Sequence, residues 1–74
     1  MLFVVKETVY NPNPPRPDLV RLWTFETEAA AKKWADWLVG TPSRYARDLA
    51  LVVGPRAERL LVEAKRSLVM EVVN

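Results

Sequence analysis

The run from Leu19 to Gly40, LVRLWTFETEAAAKKWADWLVG, narrows the folding options of this chain more than any other segment. A strand-type stretch, LVRLWTF, feeds directly into a helix-type stretch, with Thr27 at the junction. Thr27 carries the hydroxyl that an N-cap requires, and Glu28 puts negative charge in the first turn, where the helix dipole favours it. At the far end, Gly40 suits the left-handed conformation that closes many helices. The expected helix therefore covers about residues 28–39. Ala31, Trp34, Ala35 and Leu38 recur at i, i+3, i+4 and i+7 as a buried stripe, whereas Glu28, Lys32 and Asp36 stack at i+4 steps on a wet face. Trp37 falls at the edge of the stripe, where it either finishes the core or offers a contact surface.

The other elements follow from alternation and from proline. Residues 2–10, LFVVKETVY, form a β-rich run that is apolar on both faces at its start, as a central or well-covered strand would be. NPNPPRPD, residues 11–18, holds four prolines, each of which removes a backbone donor and fixes φ, so it reads as a stiff link between two strands. After the helix, residues 41–47 form a loop opened by Pro42, and Leu49–Val53 is a third strand.

From Pro55 onward the sequence supports two patterns. Ala57, Leu60, Leu61, Ala64 and Leu68 fit a helical stripe behind a Gly54-Pro55 start. Leu60, Val62 and Ala64 also alternate with Leu61, Glu63 and Lys65, which gives two strands around a turn at Pro55–Glu58. The strand pattern buries Val62 and the helical pattern leaves it in solvent, which favours strands. Residues 68–73 then close the sheet. The expected fold is a single α+β domain over residues 1–74, order ββαβββ, an antiparallel sheet with one helix on one face. The alternative order is ββαβαβ.

Composition removes whole classes of function. The chain of 74 residues has no cysteine and no histidine. Disulfides, thiolate nucleophiles, the usual general base at neutral pH and the borderline-metal ligands are all missing. Glu7, Glu26, Asp48, Glu63 and Glu71 supply carboxylates, but at no spacing that demands paired acid–base work, so they read as solvated charges. No acidic loop suggests an oxygen-ligated cation. The expectation is a non-enzyme with no cofactor and no metal. Leu2–Val5 is too short for a signal-peptide core, and no stretch approaches the roughly 20 apolar residues of a membrane span. A soluble cytoplasmic protein, with no membrane partner, is expected.

The net charge of +2 is too small to argue for nucleic acid by bulk electrostatics. Its distribution is more informative. Lys32 reads as a wet-face residue paired with Glu28 and Asp36. Lys33, with the loop residues Arg44 and Arg47, offers a site for an anionic partner, either phosphates or an acidic groove. Pro14-Pro15-Arg16-Pro17 also matches a PxxP ligand, although a rigid hairpin link is the simpler reading.

Two family resemblances rest on these residues. Trp23-Thr24-Phe25-Glu26-Thr27-Glu28, followed by Ala31 and Trp34, resembles the strand-to-helix junction in the arm-site DNA-binding domains of phage tyrosine integrases, which implies a sheet placed in the major groove. The layout of Val4-Val5-Lys6-Glu7, a second strand, a helix bearing Ala31-Lys32-Lys33 and three further strands resembles small type I-F anti-CRISPR proteins of phages. That resemblance implies occlusion of a nucleic-acid channel in a host surveillance complex, with Lys32 and Lys33 as the basic helix positions. The resulting expectation is a small phage-type or mobile-element-type protein that binds and inhibits a host protein or nucleoprotein complex through Lys32, Lys33, Trp37, Arg44 and Arg47. A DNA-binding module and a homo-oligomer joined through an open sheet edge are the alternatives.

Overall fold

The computed structural model describes residues 1–13 and 16–74. Pro14 and Pro15, and with them the core of the PxxP reading, lie outside the described residues. Six elements follow in the order β1 (Phe3–Val9), β2 (Leu19–Phe25), α1 (Glu28–Gly40), β3 (Arg47–Val53), α2 (Pro55–Ala64) and β4 (Met70–Val72). The strands form one sheet of order β3-β1-β2-β4. β1 is central and antiparallel to both β2 and β3, whereas β2 and β4 run parallel.

This corrects the expected ββαβββ order and its purely antiparallel sheet. The chain takes the alternative order, ββαβαβ, in an α+β domain with a mixed sheet. A parallel strand must be reached by a crossover, and α2 supplies it. Pro55 stands at the start of α2, where a missing N–H costs nothing, and Gly54 before it adopts φ 62° and ψ −138°, a conformation that side chains with a Cβ avoid. Folding residues 55–64 as a helix buries Ala57 and Ala64 and half-buries Leu60 and Leu61 along one stripe. Val62 is left 52% exposed. The solvation of one valine weighs less than a stripe of four residues closing one face of the sheet.

The helices also cover both faces of the sheet, not one. α1 returns the chain from β2 to β3, and α2 carries it from β3 across to β4, the opposite direction along the sheet. Crossovers of one hand that step in opposite directions lie on opposite faces. The core divides accordingly. Val4 and Leu22 pack with Ala57 and Ala64 of α2. Their chain neighbours Val5 and Trp23 point the other way and pack with Ala31 and Leu38 of α1. Val4, Val5 and Leu22 are fully buried, each contributing roughly 1.5–3 kcal/mol of transfer free energy.

α1 begins as the sequence indicates, with Thr27 Oγ1 accepting from the Ala30 amide at 3.2 Å. It ends differently. Gly40 is the last helical residue and has no positive φ, so the left-handed ending expected of it is corrected. Termination comes from the extended Thr41, followed by Pro42, with the Thr41 hydroxyl donating to the Trp37 carbonyl at 2.8 Å.

Candidate functional site

The features that stand apart from ordinary packing lie on the α1 side of the sheet. Along β1, the α1-facing residues are Phe3, Val5, Glu7 and Val9, so a carboxylate interrupts an apolar row. Glu7 is 3% exposed. A buried carboxylate is stable only when paired, and two arginines from the neighbouring strands meet it. Arg47 of β3 donates from Nη1 to Glu7 Oε2 at 3.1 Å. Arg21 of β2 lies opposite Glu7 in the register and brings Nη1 to 3.8 Å from Oε1, with Nε 3.6 Å from Glu71.

Arg47 has a second task. Its Nη2 donates to the carbonyls of Leu38 and Thr41, the latter at 2.6 Å. These acceptors stand at the C-terminal end of α1, where the dipole favours a cation and where the Leu38 carbonyl also accepts from the Thr41 amide at 3.0 Å. One guanidinium therefore joins β1, β3 and the end of α1. The Arg47 side chain is 14% exposed, with its donors turned inward, and it lines the floor of the concavity that Trp37 also borders.

Above this ion cluster lies an aromatic ridge. Trp23 of β2 is buried, Trp34 of α1 packs on it with ring centroids 5.5 Å apart, and Trp37 stacks on Trp34 at 4.8 Å and 17°. Trp37 is 56% exposed, so the outer ring of a three-tryptophan column faces solvent. Concavities flank it. On one side, a cleft of about 350 Å³ runs between the ridge, Glu7, Arg21 and the loop bearing Ser43 and Tyr45. On the other, Phe25, Ala30, Lys33, Trp34 and Trp37 enclose an almost wholly apolar hollow of about 240 Å³. Two residues lining the cleft carry buried polar atoms without a hydrogen-bond partner among the described residues, Glu7 Oε1 and Trp34 Nε1.

The structure brings the sequence-derived site residues together in part, with Trp37 and Arg47 both lining the cleft. Lys33 and Trp37 share one hollow. Arg44 lies over the Tyr45 ring at 5.7 Å, and that ring helps to form the cleft. Lys32 is held by Glu28 at 2.8 Å, and this pairing raises its pKa, with Asp36 adding to the effect. Glu7, Arg21, Trp34 and Tyr45 were not singled out as a site from the sequence. Glu7 left one signal, a charge in register with Phe3, Val5 and Val9. Its partner Arg47 lies 40 positions away, and no local pattern joins them.

Among the described residues, no group of acidic, histidine or cysteine side chains is arranged to hold a metal ion. No described helix is long and apolar enough to cross a membrane. No protein-family profile, curated protein or solved structure matches the chain.

Proposed function

We propose that this is a non-enzymatic interaction protein that binds a protein partner through the tryptophan ridge of α1. The observation that carries the reading is the exposed Trp37 ring, fixed by stacking on Trp34 and flanked by two concavities. An aromatic ring already held in place loses little conformational entropy on binding, and tryptophan and arginine dominate the energetics of protein interfaces. Lys33 and Arg44 border the ridge and provide attraction to an acidic rim.

Electrostatics favour protein over nucleic acid as the partner. The ion pairs found among the described residues already engage Arg21, Lys32 and Arg47. These three cations are therefore already matched by carboxylates, which weakens their attraction for phosphates. Inhibition by occlusion is the specific form of this reading: a small chain without an evident catalytic group acts on a larger host assembly by covering it. The anti-CRISPR layout drew on three strands after the helix. A strand, a helix and a strand stand there, so the layout adds no support.

Affinity capture from bacterial lysate, with and without nuclease, tests the proposal. The wild-type chain should retain a discrete protein after nuclease treatment, and Trp37→Ala should lose it. Capture unchanged by Trp37→Ala would refute the assigned surface, and capture abolished by nuclease would make nucleic acid the ligand.

A further inference from the structure

The two edges of the sheet are finished in different ways. At the β4 edge the strand is only three residues long, and the Asn74 side chain continues it: Oδ1 accepts from the Thr24 amide at 2.7 Å and Nδ2 donates to the Thr24 carbonyl at 2.8 Å. At the other edge, β3 runs for seven residues, RDLALVV, in unbroken register with β1, with no proline, lysine or glycine within it. Its charged residues, Arg47 and Asp48, stand together at its start, so the stretch from Leu49 to Val53 carries none of the charges, prolines or bulges that keep an edge strand from pairing.

The direction of its backbone groups follows from the ladder. The Tyr10 amide donates to the Ala46 carbonyl at 2.9 Å, and the Gly54 amide donates to the Leu2 carbonyl at 3.0 Å. Hydrogen-bonded pairs alternate along an antiparallel ladder, so positions 46, 48, 50, 52 and 54 turn their amides and carbonyls toward β1. Positions 47, 49, 51 and 53 turn theirs to the outer edge. The side chains of these four residues lie on the α1 face, where Leu51 and Val53 are 39% and 42% exposed. Beside them is a groove of about 410 Å³ lined by Val39, Arg47, Asp48 and Leu49, with Val39 73% exposed.

We propose that β3 is a homodimerisation edge, at which two copies pair their β3 strands antiparallel about a two-fold axis through Ala50 and extend one sheet across both molecules. A two-fold at Ala50 sets Leu49 opposite Leu51 of the second copy and Arg47 opposite Val53 of the second copy. Every outward-turned residue then meets an outward-turned residue, which is the condition for hydrogen-bonded pairs. No like charges face each other, because Asp48 meets Val52 of the second copy. Leu51 and Val53 of the second copy come to the end of β3 that borders the groove beside Val39, so apolar surface exposed in one molecule meets a hollow in the other. The interface is isologous, as closed dimers require. A strand edge with a few side chains falls at the small end of interface area, so the dimer is concentration-dependent.

Analytical ultracentrifugation of the full chain from low micromolar to millimolar concentration tests this. The expected result is a mass that rises from one to two copies, with Leu51→Lys held at one copy while keeping its far-ultraviolet circular dichroism. Cysteine substitutions test the register in a chain that has no cysteine of its own. Ala50 faces its own copy across a pair with Cα atoms about 4.5 Å apart, within disulfide range, so Ala50→Cys should cross-link under mild oxidation. Val52→Cys, set opposite Asp48 of the second copy, should not. A single-copy mass at all concentrations, or equal cross-linking at positions 50 and 52, would overturn the proposal. Trp37→Ala should leave the dimer intact, which separates this result from any failure of the ridge to bind a partner.

Discussion

Replacing Arg47 by methionine should be the most damaging single change on the α1 side of the sheet. The substitution keeps much of the aliphatic volume and removes the guanidinium. It leaves Glu7, 3% exposed, without the hydrogen bond at 3.1 Å, removes the guanidinium from the Thr41 carbonyl, and leaves the Leu38 carbonyl with the Thr41 amide alone. Removing one partner of a buried ion pair costs about 3–5 kcal/mol, because the remaining charge stays desolvated. Arg21 does not compensate, since it is half-exposed and stands 3.8 Å from the other carboxylate oxygen. A chain of this length has a total stability on the order of 4–11 kcal/mol, so Arg47→Met consumes much or all of it. Urea unfolding followed by circular dichroism measures the loss as a shift in midpoint at constant slope. The double variant Glu7→Leu/Arg47→Met should be more stable than Arg47→Met alone, because no buried charge is then unpaired. A loss below about 1 kcal/mol for Arg47→Met would refute the reasoning, because it would show the ion pair to be worth no more than an exposed one.

Other consequences are open to direct measurement. Trp34→Ala removes the middle ring of the column and should cost about 3–5 kcal/mol in urea unfolding, whereas Trp37→Ala removes the outer, exposed ring and should cost only about 0.5–1.5 kcal/mol. Gly54→Ala meets no atom within 4 Å at the added Cβ, so its penalty comes from the backbone at φ 62°, about 1–3 kcal/mol. The Tyr10 hydroxyl donates to the Asp48 carboxylate, and that hydrogen bond raises the Tyr10 pKa, with burial and the Asp48 and Asp18 charges adding to it. A group whose folded pKa is raised contributes stability that is present below its unfolded value and lost as pH rises through the folded value. This contribution should therefore disappear on the alkaline side of the ordinary tyrosine range, and Asp48→Asn should bring the phenolate absorbance transition down in pH.

The first half of the fold was legible because its signals are local. The Thr27 hydroxyl, the first-turn Glu28 and the Ala31/Trp34/Ala35/Leu38 stripe act within a few residues of one another and define α1 without reference to the sheet. The segment 55–64 was ambiguous because RLLVEA satisfies periods of 2 and 3.6 alike. What decides it is non-local: β4 pairs parallel to β2, and only a crossover can bring it there. Gly40 misled because a glycine near a helix end has more than one use, and here a guanidinium from β3 caps the terminus. The site was legible in part. Trp37 and Lys33 came together through the i, i+4 spacing of one helix, whereas Arg47, which lines the cleft beside Trp37, has its guanidinium held by a carboxylate on another strand that no local pattern announces.

The central claim is that the Trp37 ridge is where this protein meets its partner. A photo-crosslinking residue placed at position 33 leaves Trp37 in place and lies in the same hollow, and the same residue at position 59, on α2 across the sheet, serves as its control. The account predicts a discrete protein adduct from position 33, insensitive to nuclease and lost when Trp37→Ala is added, with none from position 59. Adducts from both positions alike, or from position 59 alone, would contradict it.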